Sequence, residues 1–100
     1  MSGLSDTQAV GALGALAHPQ RLATFRRLVR AGEKGMAAGA IAEALAMPAS
    51  SLSFHLAQLA KAGLVTQERE HRTITYRAAF PAINALVAYL MENCCEEDCS

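Results

Sequence analysis

Tryptophan is absent from this chain, its aromatic residues number five, and no cysteine occurs before position 94. Each shortage excludes something. With so few rings, the core has to be assembled from alanine, leucine and other aliphatic side chains, a supply that favours helices. Without scattered cysteines there is neither a disulfide framework nor a set of thiols serving as small buried hydrophobes. No apolar run reaches the roughly 18 residues of a membrane span, and the amino terminus lacks the basic region of a secretory leader, so the expected setting is a reducing cytoplasm with no membrane partner. Glycine-rich phosphate loops and Ser-His-Asp arrangements are missing as well, which points away from an enzyme.

Net charge is also lacking, because nine Lys and Arg balance nine Asp and Glu. The balance conceals a division along the chain. Residues 20–77 hold all nine bases against four acids, a surplus of five positive charges, whereas residues 78–100 hold Glu92, Glu96, Glu97 and Asp98 and no base. A basic middle is compatible with DNA binding, and a solvated surface of mixed charge would look similar. At 100 residues the chain is expected to be one domain, 1–100, with residues 94–100 as a distinct tail.

That tail, Cys94-Cys95-Glu96-Glu97-Asp98-Cys99-Ser100, collects every cysteine of the protein. If the preceding helix, Phe80 to Asn93 by pattern, continues through it, Cys95 and Cys99 stand at i and i+4 on one face. A Cys94–Cys95 disulfide would be strained, since adjacent Cα atoms lie about 3.8 Å apart and a relaxed bridge wants roughly 4.4 to 6.8 Å. A soft ion taking three thiolates fits the arrangement. No histidine follows residue 71 to complete a mixed zinc site, and the neighbouring acids should raise the thiol pKa values. The plainer alternative is a frayed acidic tail with incidental cysteines, because carboxylates at a helix C-terminus oppose the macrodipole.

Five helical segments and one hairpin are legible in the remainder. Ser5 and Gln8 can form a capping box ahead of an apolar stripe of Val10, Leu13, Leu16 and Ala17. His18-Pro19 ends that helix and starts the next, Arg21 to Ala31, with Leu22, Phe25, Leu28 and Val29 expected inward. A short loop around Gly35 leads to a small helix over 38–46 with Ile41, Ala42 and Leu45 buried. Met47-Pro48-Ala49 reads as a tight turn, after which Ser50 or Ser51 caps a helix running to about Ala62 with Leu52, Leu56 and Leu59 inward. Two helices so closely joined form a helix-turn-helix, and the second is expected to expose Ser50, Ser51, Ser53, Phe54, His55 and Gln58.

Residues 64–70 and 73–78 then read as a hairpin tipped by His71-Arg72, which makes it a wing. Pro81 opens a last helix with an apolar stripe of Ile83, Leu86, Val87, Leu90 and Met91. The expected fold is mainly α with a small β-hairpin, a winged helix-turn-helix in the order α-α-α-α-β-β-α.

The chain resembles the ArsR/SmtB family of dimeric winged-helix repressors that sense metals and metalloids. Leu16-Ala17-His18-Pro19-Gln20-Arg21-Leu22 is similar to the family's L-A-D-P-T-R-L start. Ser53-Phe54-His55-Leu56-Ala57-Gln58-Leu59-Ala60-Lys61-Ala62-Gly63-Leu64-Val65 is close to its S-x-H-L-x-x-L-x-x-A-G-L-V signature, and the wing carries Arg69, Arg72 and Tyr76. The resemblance implies a homodimer on double-stranded operator DNA, held through the first and last helices. It also implies inducer sites that can be checked one by one. Cysteines near Ala38 to Ile41 are absent, and the last helix offers chiefly Asn84 and Glu92 where Asp, His and Glu ligands would be needed for zinc.

What is left is Cys94, Cys95 and Cys99. Some arsenic-responsive members of the family carry such a tail, so the resemblance implies As(III) or Sb(III) as inducer, held by three sulfurs in a pyramid. Rival readings are a repressor switched by a disulfide from Cys94 or Cys95 to Cys99, a zinc or cadmium sensor, and, from another class, a small thiol metalloid carrier. In the reading head, Phe54 either touches a thymine methyl or packs, and His55 is expected to be a surface contact to phosphate or a cap. Arg72 at the wing tip is expected to meet a phosphate or the minor groove, with a solvated arginine as the plain alternative. Ala46 occupies a turn position where glycine is common, at a cost of about 1 kcal/mol if its backbone is left-handed.

Overall fold

The structure, a computed structural model, describes residues 3–98. Ser5 opens helix α1 (Asp6–Leu16) as expected: its hydroxyl accepts from the Gln8 N–H at 3.1 Å, and Gln8 Oε1 accepts from the Ser5 N–H at 2.9 Å. Helix α2 (Pro19–Ala31) starts on proline after a two-residue junction, Ala17 and His18. His18 caps it, its Nδ1 accepting from the backbone N–H groups of Gln20 at 3.2 Å and Arg21 at 3.4 Å. That capping role is not readable from the His-Pro pair alone.

Gly32 stops α2 and begins a 3-10 turn, Gly32–Lys34. The loop around Gly35 then contains an element the sequence did not announce, a two-residue strand β1 (Met36–Ala37). The hairpin strands are β2 (Val65–Glu70) and β3 (Thr73–Ala78), and β1 pairs antiparallel with β3, Met36 facing Tyr76 and Ala37 facing Thr75. The sheet order is β1-β3-β2. Gly35 makes this approach possible, since a Cβ there would lie 2.6 Å from the Tyr76 carbonyl oxygen.

Helices α3 (Ala38–Leu45), α4 (Ala49–Lys61) and α5 (Phe80–Met91) complete the fold, a winged helix-turn-helix of the expected order with β1 added. Leu28, Ile41, Leu52, Leu59 and Leu64 are fully buried and knit α2, α3, α4 and the start of the wing into one core. Each such leucine contributes about 1.5–3 kcal/mol by leaving water. Thr24 is buried among them, its hydroxyl satisfied by donating to the Gln20 carbonyl oxygen at 2.9 Å.

Two expected core residues of α2 are exposed instead: Leu22 and Val29 face solvent, while Thr24 takes an inward position. A similar division marks the outer helices. α1 buries its small residues Ala9, Ala12 and Ala15 and turns Val10 and Leu13 outward, and α5 buries Leu86 and turns Val87, Leu90 and Met91 outward. The two helices are tied by the Tyr89 hydroxyl, which donates to the Asp6 carboxylate. That hydrogen bond, with the burial and nearby negative charge that accompany it, pushes the Tyr89 pKa up. The radius of gyration is 15.3 Å, against about 13 Å for a compact chain of this length. The molecule is therefore elongated, 56 × 25 × 22 Å. Among the described residues, no helix is long and apolar enough to cross a membrane.

Candidate nucleic-acid interface and thiol site

Three residues join α3 to α4, and their backbone sets the angle between the helices. Ala46 adopts the left-handed conformation, φ 50 and ψ 46, and the N–H of Met47 then reaches back to the Ala42 carbonyl at 2.9 Å. Pro48, extended at φ −60 and ψ 142, is the N-cap of α4. The serines were expected to cap, but the helix starts before both. Ser50 and Ser51 lie inside its first turn with no side-chain cap bond.

Along α4, Leu52, Leu56 and Leu59 face the core, which rotates the opposite face outward. Ser50, Ser53 and Phe54 are exposed, and Ser51 and Gln58 are half-buried at the edge of that face. Phe54 is 56 % exposed, an unusual placement for a phenylalanine, and the Arg21 guanidinium carbon sits 5.6 Å above its ring.

His55 departs from expectation. It is 5 % exposed and points back toward α2, where Nδ1 lies 3.4 Å from Arg21 Nε and Nε2 lies 3.3 Å from Gln20 Oε1. Leucine spacing put it beside the surface positions, yet the start of α2 covers it. Burial first, then His18 and Arg21, lower its pKa below the ordinary histidine value.

Strands β2 and β3 form the wing, paired from Val65–Ala78 to Glu70–Thr73. His71 makes the tip with a left-handed backbone at φ 58, a conformation histidine tolerates better than most residues. Arg72 beside it is exposed, as is Arg69. Arg77 is committed internally, pairing with Glu68 at 2.8 Å and donating from Nε to the Glu33 carbonyl at 2.7 Å. That contact fixes the base of the wing to the 3-10 turn. Tyr76 is half-buried against the core rather than free at the surface.

The cysteine segment does not continue the last helix. α5 ends at Met91, Glu92 leaves helical geometry at φ −57 and ψ 131, and Asn93 and Cys95 take left-handed backbones at φ 61 and φ 63. The chain proceeds through successive turns closed by Cys94 N–H to Met91 O at 2.9 Å, Glu96 N–H to Asn93 O at 3.2 Å and Asp98 N–H to Cys95 O at 3.2 Å. Cys95 therefore does not stand on a continuing helix, and its expected i, i+4 partner Cys99 lies outside the described residues.

In its place the turns bring Cys94 and Cys95 together, their sulfurs 3.2 Å apart and both residues exposed. The Cys94 pKa is raised, as expected, but chiefly by the hydrogen shared with Cys95 and then by burial rather than by the acids. Among the described residues no set of three His, Cys, Asp or Glu is gathered for a metal ion. The converged pair supplies two sulfur donors.

A family profile described as a helix-turn-helix domain matches residues 16–68. By sequence, the chain is 34 % identical over 91 residues to the HTH-type transcriptional regulator YgaV of Escherichia coli (strain K12), covering 91 % of this chain and 90 % of that protein. Among solved structures, the fold is similar to an ArsR-like transcriptional regulator from Rhodococcus sp. RHA1, with a TM-score of 0.80 and 25 % identity over 92 % of this chain and 84 % of that one. It is also similar to the homodimeric winged helix-turn-helix DNA-binding domain Mb0332 from Mycobacterium bovis, a possible ArsR-family regulator, with a TM-score of 0.69 and 31 % identity over 97 % and 95 % of the two chains.

Proposed function

Because the chain belongs to the ArsR-like winged helix-turn-helix family of DNA-binding transcriptional regulators, we propose that it is a homodimeric repressor released from its operator by trivalent arsenic or antimony held on Cys94, Cys95 and Cys99. The observation that carries the inducer is the 3.2 Å contact between the Cys94 and Cys95 sulfurs, directly beyond the end of α5. Soft, three-coordinate ions bind thiolates in preference to oxygen or nitrogen donors, and here two sulfurs are already converged.

The homodimer is supported by the outward apolar residues Val10, Leu13, Val87, Leu90 and Met91 of α1 and α5, an exposed set of the kind that marks an interface. A two-fold pair would present two α4 helices to successive major grooves about 34 Å apart. Ser50, Ser51, Ser53, Phe54 and Gln58 then face base edges, and Arg72 of the wing reaches phosphate or the minor groove. His55 is not among the contacts, because its ring is turned inward.

Inducer binding at the tail acts on α5, hence on the dimer interface and on the spacing of the reading heads. A coupling of about 1–3 kcal/mol would weaken DNA binding roughly 5- to 150-fold. Arsenic-edge X-ray absorption on the arsenite complex, with the stoichiometry per dimer, tests the site: a shell of three sulfurs is expected, and a shell dominated by oxygen would sink it.

The exposure of both thiols favours a second reading, a thiol-redox repressor in which Cys94 or Cys95 bonds to Cys99. Operator release by peroxide in the absence of any metalloid, with the bridge seen by mass spectrometry, would select it. Release by zinc or cadmium under reducing conditions would instead select a sensor for those ions, and arsenite binding without any affinity for duplex DNA a metalloid carrier.

A further inference from the structure

Both ring nitrogens of His55 are engaged by residues from the first turn of α2, more than thirty positions earlier in the chain. Arginine Nε can only donate, so at 3.4 Å from it the imidazole Nδ1 must be the acceptor. The neutral ring therefore carries its proton on Nε2, which donates to Gln20 Oε1 at 3.3 Å. The partners come from the turn capped by His18 Nδ1, and the His18 ring lies against that of His55 with centroids 4.9 Å apart. Arg21 extends the link to the outer face of α4 by lying over Phe54. The ionisable groups facing His55 are thus Arg21 from α2 and His18 from the α1–α2 junction, and among the described residues no carboxylate bonds to it.

We infer that His55 is a positioning residue for the DNA-reading helix, a neutral imidazole tie between α4 and the start of α2 whose protonation loosens the helix and lowers operator affinity. The inference rests on α4 being the helix that reads DNA. Protonation places a hydrogen on Nδ1, where it meets the Arg21 Nε–H. An accepting nitrogen becomes a second donor, and two positive groups are pressed together in a nearly closed space. The directions of the other effects agree, since burial, His18 and Arg21 each disfavour the charged ring.

The sign of the effect on DNA binding is diagnostic. Added positive charge strengthens attraction to phosphate, so titration of surface histidines should raise affinity as the pH falls. The tie predicts a fall.

The test uses the duplex that the wild-type protein selects from a random-sequence pool at pH 7.5, with dissociation constants measured at constant ionic strength down to pH 5.5. The variant is His55→Asn, whose amide oxygen can replace Nδ1 as acceptor for Arg21 and does not titrate in this range. Wild-type affinity is expected to fall about two- to fivefold across the range, while that of the variant does not fall. Parallel profiles for the two proteins, or a wild-type affinity that rises on acidification, overturn the inference.

Should His55→Asn fail to fold by circular dichroism, long-range nitrogen–proton spectra of the wild-type histidine rings decide. A neutral His55 carrying its proton on Nε2 at pH 7 supports the tie, and a ring protonated on Nδ1 overturns it. If the wild type retains no duplex at pH 7.5, the assignment of α4 fails and the inference falls with it. A selected duplex with parallel pH profiles removes the inference alone.

Discussion

Cys94 Sγ lies 3.2 Å from Cys95 Sγ on a turn whose second cysteine holds a left-handed backbone at φ 63. Two thiols on neighbouring residues would ordinarily project apart. Here the turn that ends α5 directs them to one point, and the hydrogen they share holds the Cys94 pKa up. Removing the partner sulfur should therefore lower it. In Cys95→Ala, peptide-resolved alkylation of Cys94 at pH 7.5 is expected to run faster than in the wild type, because more of the thiol is ionised.

Leu59 is fully buried where α4 meets the rest of the core. Its truncation to alanine removes buried methyl groups and leaves a cavity. Leu59→Ala should cost about 2–5 kcal/mol in urea unfolding.

Gly35 combines φ 68 with ψ −172, a backbone region essentially closed to side chains, and a Cβ there would press on the Tyr76 carbonyl at 2.6 Å. Gly35→Ala is expected to destabilise the fold by about 1–3 kcal/mol from backbone strain, with the steric clash in addition. The same denaturation measurement checks it. Ala46 is the converse case, an alanine in left-handed geometry. Ala46→Gly relieves about 1–2 kcal/mol of strain and gives back about 0.4–1 kcal/mol to the freer unfolded chain, so a small rise in the urea midpoint is expected.

Stability should also follow the His55 ring. Its folded-state pKa is lowered, so its contribution is present in full above about pH 6.5, the unfolded value, and is lost as the pH falls through the lowered folded value. The unfolding midpoint of the wild type should drop over that acid interval more than that of His55→Asn.

Arg72 is exposed at the wing tip, beside His71. A phosphate contact carries no sequence information, so Arg72→Ala should weaken binding to all duplexes alike and reduce the salt slope by about 1. A loss confined to one operator base pair would instead assign Arg72 to base readout.

Much of this was readable from local pattern. The Ser5–Gln8 box, the break at His18-Pro19, the leucine spacing of α4 and the alternation in residues 73–78 depend on neighbours within a few positions, and those elements stand where expected. The failures are non-local. Met36–Ala37 becomes a strand because Tyr76 and Thr75 lie alongside, and nothing within two residues could announce it. His55 is buried by Gln20 and Arg21, contacts that helical periodicity within α4 does not encode. Leu22 and Val29 fit an inward stripe, yet Thr24 is buried in α2 because its hydroxyl is satisfied within its own helix. At the tail, the acidic, base-free last turns ended α5 at Met91 and replaced the continuing helix with turns.

The most direct measurement of the central claim is the affinity of the dimer for its selected operator duplex, followed by fluorescence anisotropy under reducing conditions with and without arsenite. The wild type should lose about 5- to 150-fold in affinity when arsenite is added, and Cys94→Ser/Cys95→Ser should bind equally well in both conditions. Equal affinity of the wild type with and without arsenite, or release of the double variant at the same arsenite concentration, would contradict it.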